Sequence, residues 1–222
     1  MISYAFINFL PGCAGNFFSR ALNLADGVYC WADSKKKHVP LTVADKMELF
    51  TYADMHNFKD NNINWISDFE SNTIKYSDII PHWDLPPGSL SLWCTHWIQD
   101  PRQRGIAAPT NPTYLLQIQC DSPEMFEWGV FNALYKDSLI GGKWMELYNH
   151  LSTDSTVDKV DLRSFLEWST FESTYMSVCN VLDIKSERLH LDAVRLLWSQ
   201  WRTTVLDFDD IATYKQQIGW ML

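Results

Sequence analysis

The chain has 222 residues, room for one domain with insertions at the usual ~150 residues per domain, and enough to bury a core without metal or disulfide staples. A hydrophobic share of 46% with 20% charged residues excludes a disordered chain. The formal net charge of −9 and pI of about 5.0 argue against nucleic-acid and anionic-membrane partners, both of which need a basic surface.

Residues 4–10 are apolar except for Asn8 and predict a central strand covered on both faces. This run carries no basic flank and ends at Pro11-Gly12, too short to cross a membrane, so it reads as a strand rather than a signal peptide. Residues 11–15 form a small-residue turn, and 16–24 predict a helix with Phe17, Phe18, Ala21 and Leu22 as apolar positions. Residues 31–89 are irregular, with a basic run at Lys35-Lys36-Lys37 and a helix expected over 42–56. Strands are expected over 89–98 and 113–120, separated by a Pro-rich loop. Ser122 as N-cap, Pro123 at the first helical position and Glu124 in the first turn then predict a helix to about Lys136.

Gly141-Gly142 breaks the chain before a helical stretch to Leu151. Further helices are expected over 161–182 and 187–201, then a short β-rich run over 203–208. A last helix is expected from Asp209-Asp210 to Trp220. Strands alternating with helices predict a single α/β domain over 1–222. It would have three layers, a mainly parallel central sheet, a P-loop-like first turn and a helix-rich C-terminal third, with 31–89 as an insertion.

The five cysteines (Cys13, Cys30, Cys94, Cys120 and Cys179) form no CxxC pair; their odd number and scatter fit reduced thiols in the cytoplasm. His82, His96, His150 and His190 show no metal-ligand spacing, so no metal is expected. Ser19, Ser122 and Ser173 lack the Gly-x-Ser-x-Gly elbow of serine hydrolases. Glu124 and Glu127 share a helix face and read as a solvated first turn. Arg102 and Arg104 read as solvated loop cations that could alternatively clamp an anion. Among 11 tryptophans, Trp128, Trp198 and Trp201 fall at core spacing, with Phe126, Phe131 and Tyr135. Trp31, Trp83, Trp93 and Trp97 lie near loops and strand ends, where aromatic planes suit an acceptor pocket.

The richest segment is FLPGCAGNFFSR over residues 9–20. A glycine turn between a buried strand and a helix lets backbone N–H groups converge on an anion, and the helix dipole adds to the attraction. Gly12, Cys13, Ala14, Gly15, Asn16 and Phe17 would supply the backbone, with donors from Asn16, Ser19 and Arg20. The alternative is a plain tight turn with Arg20 in solvent. No Gly-Lys-Ser/Thr comes after the turn, so the segment is not a Walker A loop.

In this loop, and in the order of the later strands and helices, the chain resembles the sulfotransferases that use 3′-phosphoadenosine 5′-phosphosulfate (PAPS). Their 5′-phosphosulfate loop, Pro-Lys/Arg-Ser-Gly-Thr-Thr, also joins the first strand to a helix. Pro11 and Gly15 match it with one extra residue between them, and Asn16 stands at the first Thr. Cys94-Thr95-His96 resembles the family's Lys-Thr-His at a strand end. Residues 113–123 resemble its strand followed by Arg-Asn/Asp-Pro, and 205–211 its late strand and Tyr-Glu-Asp-Leu segment. The resemblance implies sulfuryl transfer from PAPS, with 3′,5′-ADP as the other nucleotide bound, to a small-molecule hydroxyl acceptor. His96 is then the general base, a task that an imidazole pKa near 6.5 suits. Three positions depart from the pattern. Gly12 replaces the basic residue after the Pro, Asp121 replaces the Arg that binds the 3′-phosphate, and Gly129 replaces a Ser in the helix after it. A non-catalytic anion- or nucleotide-binding module and a divergent phosphoryl transferase are the alternatives.

Overall fold

The apolar run that predicts a buried first strand forms one, at the middle of a parallel sheet. A computed structural model describes residues 3–9, 12–30, 42–49, 85–95, 113–136 and 158–217. The strands are β1 Ser3–Asn8, β2 Val28–Cys30, β3 Leu90–Thr95, β4 Thr113–Gln119 and β5 Asp158–Asp161, in the spatial order β2-β3-β1-β4-β5. Ile7 of β1 lies opposite Cys94 of β3 on one side and Leu116 of β4 on the other. Leu115, Leu116, Gln117 and Ile118 of β4 are all buried. A strand whose successive residues are buried is covered on both faces, as parallel sheets require.

The helices are α1 Gly15–Asn23, α2 Val43–Leu49, α3 Pro123–Lys136, α4 Trp168–Val181, α5 Leu191–Arg202 and α6 Ile211–Gln217. Every residue of α1 except Asn16 is buried. Packed on β1, β2 and β3, it meets α5 on its other side. Phe17 stacks on Trp201 of α5 with ring centroids 4.3 Å apart. Phe17 and Phe18 both touch Phe165 and Phe171, the latter from α4. The turn leaving α1 is fastened by Lys46 of α2. Its buried ammonium donates to the carbonyl oxygens of Asn23, Ala25 and Val28 at 2.5, 3.2 and 2.9 Å, using all three donors so that burial of the charge is compensated.

Several expectations need correction. The helix expected over 161–182 is interrupted. Asp161 ends β5 and its carboxylate accepts from the Arg163 N–H at 3.0 Å, capping a 3-10 turn over Leu162–Phe165. The helix proper, α4, begins only at Trp168. β5 escapes the sequence pattern because Asp-Lys-Val-Asp is short and polar; its one buried residue, Val160, pairs with Ile118. β2 is equally short and borders the irregular segment, where no period marks it.

The β-rich run over 203–208 is not a strand. The Thr203 and Thr204 hydroxyls donate to the Gln200 and Trp201 carbonyls. The Leu206 N–H donates to Asn132 Oδ1 at 2.9 Å, and its carbonyl accepts from Trp128 Nε1 at 3.0 Å. Side chains of α3 thus take the backbone groups a sheet would have used, and the late strand implied by the resemblance is absent at this place. A 3-10 turn at Phe208–Asp210 precedes α6. The expected helix over 42–56 is seen over Val43–Leu49, and the stretch expected over 143–151 lies outside the described residues. Among the described residues no helix is long and apolar enough to cross a membrane.

Candidate functional site

β1 is the central strand, and the chain leaves it for β2 on one side while β4 adds on the other. Its C-terminal end therefore lies at a point where successive connections diverge, the place where open parallel sheets leave a crevice. Residues 12–15 sit there.

The turn is entered through two left-handed residues, Gly12 with φ 82° and Ala14 with φ 58°. The only other described non-glycine residue with positive φ is Asp183. It directly follows α4 and its C-cap Leu182, where that conformation is a routine way to end a helix. Ala14 instead stands at a helix start, where an N-cap is ordinarily extended and brings a side-chain acceptor. Ala14 brings none. Its carbonyl accepts from the Phe18 N–H at 2.9 Å, so the helix begins normally. Intrahelical geometry leaves the amides of Gly15, Asn16 and Phe17 without i−4 partners. Alternating backbone of this kind makes a concave donor surface suited to an oxyanion.

The side chains around the turn hold its shape. A Cβ on Gly15 would fall inside the buried Phe9 ring, so the bare Cα serves packing. A Cβ on Gly129 of α3 would lie 2.8 Å from Cys13 Sγ, so the Ser expected there has no room. Cys13 is buried, and its Sγ is 3.7 Å from Cys120 Sγ at the end of β4. Neither contact is legible from the spacing of residues 13, 120 and 129.

The expected loop residues divide by burial. Asn16 is part-exposed at the first turn, whereas the Phe17 side chain belongs to the aromatic core, leaving only its backbone to the site. Ser19 and Arg20 lie a turn further on and are each 5% exposed, which overturns the solvent reading of Arg20. His96, Arg102 and Arg104 lie outside the described residues, as do Lys35 to Lys37, Trp31, Trp83 and Trp97.

Beside the loop, Asp121 follows Cys120 and is paired with Arg163 at 3.0 Å. The same guanidinium donates to Ser122 Oγ at 3.1 Å and lies over the Phe208 ring. Ser122 also caps α3 as expected, accepting from the Met125 N–H at 3.3 Å. Glu124 is exposed, as its first-turn reading implies; its own backbone N–H, the Ser122 hydroxyl and Arg163 hold its carboxyl below the ordinary value. Burial pushes the Asp161 carboxyl up, against the hydrogen bond from Arg163; the Asp121 charge adds to the rise. One guanidinium thus stands among three carboxyl groups, and sequence spacing gives no sign of Arg163. No group of His, Cys, Asp and Glu that could hold a metal occurs among the described residues. The chain matches no protein-family model, no curated protein and no solved structure.

Proposed function

We propose that residues 12–17 hold the sulfate or phosphate end of an anionic ligand, on a sulfotransferase-like fold. The observation that carries this is the first turn of α1. It is uncapped, entered through left-handed Gly12 and Ala14, and placed at the end of the central strand. Right-handed crossovers in the order β2-β3-β1-β4-β5 would put α1 and α3 on opposite faces of the sheet, which supports a three-layer P-loop-like arrangement. In this reading the donor is PAPS and the acceptor a small hydroxyl compound. His96, one residue past β3, removes the acceptor proton. β3 is the direct neighbour of β1, so the base and the anion loop would emerge from adjacent strands.

One observation favours a second reading, anion binding without transfer. The position expected to hold the nucleotide 3′-phosphate carries Asp121, whose cation among the described residues, Arg163, also acts on the Asp161 and Glu124 carboxyls. An acidic corner disfavours a further phosphate.

Calorimetric titration with 3′,5′-ADP, inorganic sulfate and ATP tests the proposal, alongside consumption of PAPS. Saturation near 100 times Kd adds about 2.7 kcal/mol of stability, read as a rise in Tm. Asn16→Asp places a carboxylate at the helix N-terminus, which competes for the same amides. Binding that vanishes in this variant while the fold remains supports the site. Absence of binding by all three anions overturns it. Transfer that survives His96→Ala overturns the assigned base.

A further inference from the structure

We infer that Cys13 and Cys120 form a reversible disulfide that bolts the loop at residues 12–15 to the end of β4. The two sulfurs are 3.7 Å apart, although the residues are separated by 107 positions in sequence. Both are thiols here. A disulfide needs the sulfurs to approach to about 2 Å, so closure requires a relative movement of under ~2 Å. Two features of the packing serve the pair. Gly129 leaves the volume that the Cys13 sulfur occupies, since any Cβ there would lie 2.8 Å from it. Cys120 is partly exposed whereas Cys13 is buried, which gives the pair an outer and an inner sulfur.

That asymmetry orders the chemistry. A hydroperoxide is the oxidant. The Cys120 sulfur attacks the terminal peroxide oxygen; the O–O bond breaks and leaves Cys120 as a sulfenic acid with one molecule of alcohol or water. The Cys13 sulfur then attacks the Cys120 sulfur, the S–O bond breaks, and the hydroxyl leaves as water with the Cys13 proton. Two thiols lose two electrons, and the peroxide gains them. A dithiol reverses the step by exchange at the exposed sulfur. Cys179 has no part in this. It is buried in α4 beside Tyr175, and burial pushes its thiol up to about 12, so little of it is thiolate at neutral pH.

Bond formation pulls Cys13 toward β4. The amides of Ala14 to Phe17 come directly after it along the chain, so the loop is the element that tightens. Control of ligand binding by this bond rests on the anion-binding reading of residues 12–17; the bond itself does not.

The test treats the folded full chain with hydrogen peroxide, blocks remaining thiols with N-ethylmaleimide and maps peptides without reduction. The expected product joins Cys13 to Cys120 with loss of two hydrogens, disappears on dithiothreitol treatment, and is absent from both Cys13→Ser and Cys120→Ser. It persists in Cys179→Ser. If Cys13→Ser unfolds, the partly exposed Cys120→Ser carries the control. Hydrogen exchange of the amides over 14–17 should slow at least tenfold in the oxidised form. Recovery of both cysteines as maleimide adducts after peroxide overturns the proposal, as does a disulfide that joins either one elsewhere. Unchanged exchange over 14–17 with the bond in place overturns the tightening. Titration with sulfate then separates the two readings. A mapped bond in a chain that binds no anion removes the anion site and leaves the thiol pair standing.

Discussion

The two sides of α1 do opposite work. Its inward face is saturated: Phe17 and Phe18 meet Phe165, Phe171 and Trp201, and burial of large rings is among the strongest stabilising terms in a core. Its first turn is the reverse, with a left-handed alanine for a cap, no side-chain acceptor and a part-exposed Asn16. Adjacent residues thus fall to opposite purposes, Asn16 to the open turn and Phe17 to the core. The difference teaches how a short helix can present unsatisfied amides without fraying. The cost at its start, of order 1–3 kcal/mol for a strained residue, is offset by aromatic packing one turn on.

The strongest way to break that comparison is to empty the packed side. Phe171 touches Phe17, Phe18, Phe165, Trp168 and Tyr175. Phe171→Ala should cost about 3–5 kcal/mol in chemical denaturation, or roughly 10 °C in Tm for a chain of this size. A loss below ~1 kcal/mol would show that α1 is held elsewhere. The open side breaks at Gly15. Gly15→Ala forces a methyl into the Phe9 ring and should cost about 1–3 kcal/mol by overpacking. Phe9→Leu in the same chain should recover part of that loss, a coupling that a double-mutant cycle reads directly. Additive effects would mean that the loop deforms rather than the ring.

The saturated side is more legible in the sequence than the open one. Apolar period places β1, α1, β3, β4 and α3 close to their observed bounds, because each buries a regular face. Ser122, Pro123 and Glu124 mark the start of α3 by local chemistry alone. Hidden elements are those whose stability comes from partners far along the chain. β2 and β5 are three and four residues long, too short for a period, and exist because a longer strand lies beside each. Thr203 to Phe208 carries strand-like residues, but Trp128 and Asn132 claim the backbone of Leu206. At the site, the glycine turn is legible. Cys120, Gly129 and Arg163 are not, since nothing in their own segments points back to residue 13 or 121.

The buried side also has a pH signature. Burial raises the pKa of both Tyr175 and Cys179, the thiol from 9.0 to about 12. In the unfolded chain these groups lose their protons at lower pH than in the folded chain. Their stabilising contribution is therefore complete below pH ~9 and is lost as pH rises toward the folded values. Tm should fall steeply above pH ~9, and Tyr175→Phe with Cys179→Ala should flatten that fall. An unchanged slope would locate the alkaline transition outside this helix face.

The smallest effect on stability is expected where the open side meets the acidic corner. The Arg163–Asp121 pair is 46% and 35% exposed at its two side chains, and such pairs contribute about 0–1 kcal/mol. Arg163→Ala should therefore leave Tm nearly unchanged. Its effect on ligands is another matter, because it uncovers the Asp121 carboxylate next to Cys120 and the loop. If the far end of a 3′-phosphorylated nucleotide lies at this corner, affinity for 3′,5′-ADP should fall about tenfold more than affinity for inorganic sulfate, which reaches only the turn. Adding Asp121→Asn should restore much of the difference by removing the repulsion, even though the cation is still missing. An equal loss for both ligands would detach the corner from the nucleotide and leave the first turn of α1 as an anion site on its own.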